Sequence, residues 1–308
     1  MACIPRTGAV AMHALQSKSS IADPPPYGVS ASQEGGAFDA ALRRAMSQGE
    51  LRFDFQPLVA VAGGAVAGFE ALLRWRRPGF GDLAAAHFMA AAAGAPSFDE
   101  VGAWALREAA RVAASWPRPL RVAVNLSAAQ LRSPKVGESV RRLLDQGGLD
   151  PRRLEIEITD SVLIDDFAAI AAILNPLRAR GVLVALDDFG GDRSSIRAVV
   201  QLPLDRLKID SAFVVDALIN PRCAAVIRAG ARLAKELGLA LTAKGVETCD
   251  QFKLLRSAGC DETQGYFHSR PLPENELGAV FDHVPGLCEG RGDCRICSQR
   301  IRPMVDRT

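Results

Sequence analysis

The sequence predicts an α/β fold whose strands and helices close into a (β/α) barrel. Apolar strand-like runs alternate with runs of helical periodicity along the chain, which is typical of parallel sheets. Polar residues recur where these strand-like runs end, as expected if several strands deliver side chains to one rim. No Gly-x-Gly-x-x-Gly turn follows a strand-like run, which argues against an open dinucleotide-binding sheet.

The first elements of the barrel are predicted to follow residue 37. A helix is indicated by apolar residues at helical spacing: Phe38, Ala41, Leu42 and Met46. A strand-like run from Leu51 to Phe55 comes next and leads to Gln56. Residues 1–36 contain proline and glycine clusters without apolar periodicity, so we expect a disordered leader there.

Two later helices are indicated by apolar spacing, and a strand-like run follows each. One is marked by Ile170, Ile173, Leu174 and Leu177. Pro176 lies inside it and is expected to kink or split it. The other is predicted to present one apolar face made of Val226, Gly230, Leu233, Ala234 and Leu237. Gly238 suits the end of this second helix.

Acidic or amide side chains stand near the ends of four strand-like runs. They are Glu70, Asn125, Glu157 and the pair Asp187 and Asp188. Strands of a closed barrel converge at one rim, so these side chains are expected to share one shallow bowl. Oxygen ligands gathered in this way suit a hard divalent cation. The sequence therefore predicts a metal site at the rim.

Composition limits the function classes. The chain has 308 residues, of which 48% are hydrophobic, enough for a barrel domain of about 250 residues. A net charge of +2 gives no electrostatic case for nucleic acid. The sequence has no uncharged apolar run of about 18 residues and no signal-peptide pattern, so no membrane span is predicted and a cytoplasmic location is expected. Seven scattered cysteines form no secreted-type disulfide framework.

An ordered series of short motifs spans the chain from about Ala37 to Glu276. The series is Glu70-Ala71-Leu72, Asn125, Glu157-Ile158-Thr159, Asp187-Asp188-Phe189-Gly190, Leu207-Lys208-Ile209-Asp210, Gly245-Val246-Glu247 and Gln264-Gly265-Tyr266. With these motifs the chain closely resembles the EAL-domain family of cyclic di-GMP phosphodiesterases. The resemblance implies a TIM-like (β/α)8 barrel variant with one antiparallel strand. It also implies a site that opens one phosphodiester of cyclic di-GMP to give linear pGpG.

The resemblance also implies roles for individual residues. Metal ligands for Mg²⁺ or Mn²⁺ would be Glu70, Asn125, Glu157 and Asp187, with Asp188 helping to bind a second cation. Lys208 would lie near the reacting water. The catalytic residues would be Lys208 and Asp188. Gln56, Arg74 and Gln264 match positions that contact the ligand, which fits an arginine on phosphate and amides on base edges. Asp210 could equally be a helix cap or a turn residue.

The motif series is broken at Lys244. The family has a second-metal ligand, also proposed as a general base, as the first Glu of an Ala-Glu-Gly-Val-Glu run, and this chain reads Ala243-Lys244-Gly245-Val246-Glu247. The family places that Glu about twenty residues before the Gln-Gly pair, and Lys244 keeps this spacing to Gln264. An ammonium group cannot coordinate a cation and repels it at short range. The second metal is therefore expected to bind weakly or not at all.

Two further departures concern the loop after Asp188. The family's Thr-Gly-Tyr-Ser-Ser is replaced by Gly191-Asp192-Arg193-Ser194-Ser195, and Asp160 stands where a loop-anchoring Glu is typical. Two functions stay open. The chain is a cyclic di-GMP-binding domain with impaired catalysis that signals to an unidentified protein partner, or it is an active metal-dependent phosphodiesterase. Family proteins commonly pair, so a homodimer is expected.

The C-terminal residues form the third predicted segment, after a leader at 1–36 and a barrel at 37–280. This tail, 281–308, holds four residues that could bind zinc, namely His283, Cys288, Cys294 and Cys297. A redox pair and plain exposed thiols are the alternatives. Its arginines are interspersed with aspartates, which indicates a solvated extension and no DNA partner.

Overall fold

The computed structural model describes residues 31–92, 95–159, 167–191 and 196–281. The strands are β1 (Leu51–Ala60), β2 (Val66–Arg77), β3 (Gly81–Ala84), β4 (Arg121–Leu126), β5 (Leu154–Thr159), β6 (Leu183–Phe189), β7 (Arg206–Ile209), β8 (Ala240–Ala243), β9 (Glu262–Thr263) and β10 (Leu272–Pro273). The helices are α1 (Ala31–Ser47), α2 (Ala85–Ala92), α3 (Phe98–Ala114), α4 (Ala128–Arg132), α5 (Pro134–Asp145), α6 (Phe167–Ala179), α7 (Ile196–Gln201), α8 (Ser211–Asp216), α9 (Pro221–Glu236) and α10 (Cys249–Ala258).

Eight of these strands close into a barrel. The ring runs β1, β2, β4, β5, β6, β7, β8, β9 and back to β1. Among the described strands of this ring, β1 alone is antiparallel to both neighbours, and the other pairs are parallel. The edge strands β3 and β10 add antiparallel pairs outside the ring. The predicted barrel with one antiparallel strand is confirmed.

The orientation of β1 follows from its connection to β2. The two strands are joined by the short turn 61–65, in which Gly63 and Gly64 take positive φ angles of 81° and 69°. A short turn reverses the chain, whereas parallel neighbours need a long crossover. The hairpin places Gln56 opposite Glu70.

Side-chain alternation along the parallel strands separates an outer apolar core from a polar barrel interior. In β5, Leu154, Ile156 and Ile158 are fully buried in the apolar core. Successive side chains of a strand point to opposite faces, so Glu155 and Glu157 project into the barrel. Two polar residues of an otherwise apolar strand thus reach the interior.

Below the rim, the interior holds a buried ion network. Arg121 Nη2 lies 2.7 Å from Glu262 Oε2, and Arg206 Nη1 lies 3.0 Å from the same atom. Glu155 Oε2 lies 3.0 Å from Arg121 Nε and 3.1 Å from Arg206 Nε. Each carboxylate faces two guanidinium groups, which offsets the cost of burying charge. The network fills the barrel beneath the candidate site.

Two local expectations need correction. Helix α6 continues through Pro176, which is exposed, so the helix is not split. On α9 the buried side chains include Ile227, whereas Val226 and Leu237 are exposed, so the predicted face was wrong at those two positions. Helix α1 begins at Ala31, and the predicted boundary between leader and barrel at residue 37 stays a prediction.

The structure does not describe residues 1–30 and 282–308. The second of these ranges contains the predicted zinc ligands His283, Cys288, Cys294 and Cys297. No helix within the described ranges is long and apolar enough to cross a bilayer.

Candidate functional site

Strand register brings the predicted metal ligands to the same end of the barrel. Asn125 pairs with Glu157 across β4 and β5, and Asp187 pairs with Thr159 across β5 and β6. Glu70 lies inside β2, because β2 leaves its parallel neighbour after Ala71 and continues as an antiparallel partner of β3. The rim of the ring therefore carries Glu70 even though the strand runs on.

Glu70 is the centre of a hydrogen-bond network that includes several predicted site residues. Its Oε1 accepts from Asn125 Nδ2 at 2.7 Å, and its Oε2 accepts from Gln264 Nε2 at 2.6 Å. Gln264 Nε2 also donates to Gln56 Oε1 at 3.0 Å. The Nζ of Lys208 lies 3.5 Å from Glu70 Oε2. Asn125, Lys208 and Gln264 thus contact one carboxylate, and Gln56 joins the network through Gln264.

Lys208 lies wholly buried between two carboxylates. Its Nζ contacts Glu157 Oε1 as well as Glu70. Burial acts to lower the pKa of Lys208, but the negative charges of Glu157 and Glu70 outweigh it and raise the pKa above its ordinary value. The lysine is therefore a fixed cation inside the barrel. The second oxygen of Glu157, Oε2, is buried without a hydrogen-bond partner.

Lys244 enters the bowl and binds both aspartates of the β6 pair. Its Nζ donates to Asp187 Oδ1 and to Asp188 Oδ1, each at 2.6 Å. Asp188 has a positive φ of 55°, which is uncommon for a non-glycine residue. Burial acts to lower the pKa of Lys244, but Asp187, Glu70 and Asp188 outweigh it and raise the pKa. The ammonium group stays charged next to both carboxylates.

The three buried carboxylates differ in protonation tendency. Burial acts to raise the pKa of Glu70, but the charges of Lys208 and Lys244 and the two amide donors lower it to about 2. Burial raises the pKa of Glu157 well above its ordinary value, and the negative charge of Glu70 adds to this rise. Burial also raises the pKa of Asp187, although Lys244 and Lys208 oppose it. Glu157 and Asp187 therefore have too little positive charge near them to offset the cost of burying their ionised carboxylates.

Arg74 does not join the Glu70 network. Its Nε donates to Asp54 Oδ2 at 2.9 Å, and its Nη1 donates to the carbonyl oxygen of Leu73 at 3.3 Å. A cavity of about 390 Å³ is lined by Arg74 and Asn125 together with mainly apolar side chains. Asp54 was not predicted as a site residue. Its spacing of two from Gln56 on a strand was the available signal.

Asp210 caps a helix, which was one of the two interpretations of that residue. It is the N-cap of α8, and its Oδ1 accepts from the backbone N–H of Ala212 at 2.9 Å. Asp160 and residues 192–195, where the loop departs from the family pattern, lie outside the described residues. The predicted loop effects thus stay predictions.

The donors of the bowl determine which metal ions it suits. Within the described residues, no three His, Cys, Asp or Glu side chains are arranged as a ready cation site. Four oxygen donors are nevertheless present, in Glu70, Asn125, Glu157 and Asp187, and Glu157 Oε2 is a buried acceptor without a partner. This donor set fits one hard divalent cation. A second cation beside Asp187 and Asp188 does not fit, because the Lys244 ammonium bridges them.

The fold and this rim define an α/β barrel protein with one antiparallel strand and an acidic, amide-rich bowl. The chain belongs to the EAL domain family, whose family model matches residues 39–271. The chain spans about a third of the length of the curated relatives it matches.

Two relatives illustrate the match. An uncharacterized signaling protein of Caulobacter vibrioides is 41% identical over 236 residues, covering 77% of this chain and 29% of that protein. The cyclic di-GMP phosphodiesterase NbdA of Pseudomonas aeruginosa is 38% identical over 255 residues, covering 80% of this chain and 33% of that protein. The chain is thus homologous to cyclic di-GMP phosphodiesterases.

Solved structures give the same family. The PaMucR phosphodiesterase in complex with c-di-GMP superposes with a TM-score of 0.73 at 35% identity, covering 78% of this chain and 99% of that chain. A manganese and cyclic di-GMP complex of Klebsiella pneumoniae BlrP1 gives a TM-score of 0.65 at 30% identity, covering 73% of this chain and 56% of that chain.

Proposed function

We propose that this chain is a cyclic di-GMP-binding EAL domain whose phosphodiesterase chemistry is impaired, acting in cyclic di-GMP signalling. The observation that carries the proposal is the pair of 2.6 Å contacts from Lys244 Nζ to Asp187 and Asp188. These contacts use the carboxylate oxygens that a second cation would need. The family resemblance puts a glutamate at this position as a metal ligand and general base.

Charge balance supports a site for one divalent cation. Two ammonium groups, on Lys208 and Lys244, contact four carboxylates: Glu70, Glu157, Asp187 and Asp188. When all six are ionised, two negative charges are in excess, which one divalent cation neutralises. A glutamate at position 244 would leave an excess of four, which two such cations neutralise. The lysine therefore removes the electrostatic demand for the second cation.

The remaining cation would be Mg²⁺ or Mn²⁺, held by Glu70, Asn125, Glu157 and Asp187. When bound, it would supply positive charge against a phosphate group and lower the pKa of a bound water. Lys208 would hold its proton next to Glu157 and add a second positive charge. Gln56 and Gln264 would orient the nucleotide through their amides, and Arg74 would pair with a phosphate.

The alternative function is an active metal-dependent phosphodiesterase that converts cyclic di-GMP to pGpG. It is favoured by the presence of four oxygen donors and of buried Lys208 in contact with Glu157. The Lys244 ammonium would then replace the missing cation electrostatically. Pairing as a homodimer and signalling to a protein partner belong to either proposal.

Calorimetric titration and product analysis on the unchanged chain test the proposal. Cyclic di-GMP should saturate the protein both in chelator and in Mg²⁺ or Mn²⁺. The turnover number for pGpG formation should lie at least about a thousandfold below the kcat values of ~1–1,000 s⁻¹ that are usual for enzymes. Absence of binding would contradict the receptor function, and turnover in the usual enzymatic range would establish the alternative.

A further inference from the structure

Charged side chains continue from the bowl along one face of the β1–β2 hairpin. Residues two apart on a strand share a face, so Arg52 and Asp54 follow Gln56 on β1. The register sets Gln56 opposite Glu70 and Arg52 opposite Arg74. Asp54 therefore lies between the Glu70 network and the two arginines.

Asp54 is shared by both guanidinium groups. Its Oδ2 accepts from Arg74 Nε at 2.9 Å, and its Oδ1 contacts Arg52 Nη1. Arg52 Nη2 also lies 3.1 Å from Asp82 Oδ2. The side chains of Asp54 and Arg74 are only 15% and 19% exposed. Partial burial and charge-assisted hydrogen bonding both strengthen this pair relative to an exposed ion pair.

We infer that Asp54 is a positioning residue that fixes the guanidinium of Arg74 for a phosphate group of the cyclic dinucleotide. The inference rests on the proposed function, because Arg74 matters here only as a contact to that ligand. A free arginine side chain loses substantial rotamer entropy when it binds an anion. Asp54 removes much of this loss before the ligand arrives.

The bond pattern leaves a phosphate-binding edge open. A guanidinium has five N–H donors. Asp54 uses the Nε donor of Arg74, and the Leu73 carbonyl accepts from Nη1. Among the described residues, Nη2 of Arg74 has no hydrogen-bond partner. A phosphate can therefore approach Nη2 without displacing Asp54.

The opposite effect, competition between Asp54 and phosphate for Arg74, is weakened by Arg52. Asp54 and Asp82 together contact three guanidinium groups, those of Arg52, Arg74 and Arg76, so the cluster retains one positive charge. Because Arg52 also neutralises Asp54, little repulsion remains toward an incoming anion. Positioning should then outweigh competition.

A double-mutant cycle on the full chain tests the inference, with cyclic di-GMP affinity measured by calorimetry. Asp54→Ala should raise Kd about three- to tenfold, the range expected for losing one pre-ordered side chain. Arg74→Ala should raise Kd as well. Asp54→Ala added to Arg74→Ala should then change Kd less than twofold, because no guanidinium remains to be positioned. Asp54→Asn keeps the shape if the alanine variant folds poorly, and its effect should have the same sign.

Arg142→Gln is the control, because Arg142 lies on α5, is 71% exposed and pairs with Glu138 outside the Asp54 network. Its Kd should stay within twofold of the unchanged chain. The inference is overturned if Asp54→Ala and Asp54→Asn bind as tightly as the unchanged chain or more tightly. An equal loss with and without Arg74 also overturns it, since that indicates a structural role. If the unchanged chain does not bind, the proposed function itself fails.

Discussion

The ammonium group of Lys244 lies 2.6 Å from each of two carboxylates at the end of β6. The family resemblance predicted that this side chain would stand at the second-cation position, and the motif's spacing to Gln264 in the chain fixed the match. Spacing could not predict that one ammonium would reach both Asp187 and Asp188. Asp188 has a positive φ of 55° at this point, which the sequence does not reveal.

The buried side chain of His268 should make the stability of the fold depend on pH. It is fully buried, its Nε2 lies 2.8 Å from Thr263 Oγ1, and burial lowers its pKa from 6.5 to about 4. Between these values the unfolded chain binds a proton that the folded chain does not, so the stability that neutral His268 allows is lost as pH falls. The free energy of unfolding should decrease on this account by up to roughly 3 kcal/mol between pH 6.5 and 4.

Urea unfolding at several pH values checks this expectation. His268→Gln cannot titrate and should flatten the pH dependence in that window. The exposed His87 provides the control, since His87→Gln should leave the slope unchanged. A slope that is the same in His268→Gln and in the unchanged chain would refute the assignment.

At the scale of elements, the turn after β9 is fixed by close backbone contact with the turn after β8. The backbone N–H of Val246 donates to the Gln264 carbonyl at 3.0 Å, and the N–H of Phe267 donates to the Val246 carbonyl at 2.8 Å. Gly265, with φ of 155°, lies between them. This contact between the two turns therefore helps to hold Gln264 against Glu70.

Gly265→Ala should disrupt this turn. A Cβ there would lie 2.2 Å from the Val246 oxygen and 2.3 Å from its nitrogen, both backbone atoms that cannot move aside cheaply. We expect a loss of more than about 3 kcal/mol in the free energy of unfolding, or failure to fold. Gly278→Ala has no heavy atom within 4 Å of its new Cβ and should change stability by less than about 0.5 kcal/mol. Equal unfolding midpoints for the two variants would contradict this view of Gly265.

Element existence was easier to predict than element faces. The apolar runs of β5 and β6 and the helix before Gly238 were identified correctly, because burial of one face imposes a regular spacing of apolar residues that the sequence shows directly. The face of α9 was misjudged because Ala224 and Ile227 pack inward while Val226 is exposed. Alanine-rich helices offer several apolar stripes, and only tertiary packing selects one. Pro176 likewise sits in a continuous helix that local propensity disfavours.

In the whole molecule, closure of the ring through β1 brings residues that are distant in the sequence together in one site. The sequence indicated parallel strands and a common rim, but the antiparallel β1 was implied only by the family resemblance. Pairing of β1 with both β2 and β9 brings Gln56 and Gln264 within 3.0 Å. The sequence did not identify Asp54, because its contacts with Arg52 and Arg74 depend on this cross-strand register.

The most direct test is the rate of pGpG formation from cyclic di-GMP in Mn²⁺ by the unchanged chain, Lys244→Glu and Lys244→Gln. Lys244→Glu should exceed the unchanged chain by about a hundredfold or more, as expected when a lost catalytic group is restored. Lys244→Gln removes the ammonium without adding a carboxylate and should stay slow. An unchanged chain that already turns over as fast as Lys244→Glu would contradict the conclusion that Lys244 blocks the second cation.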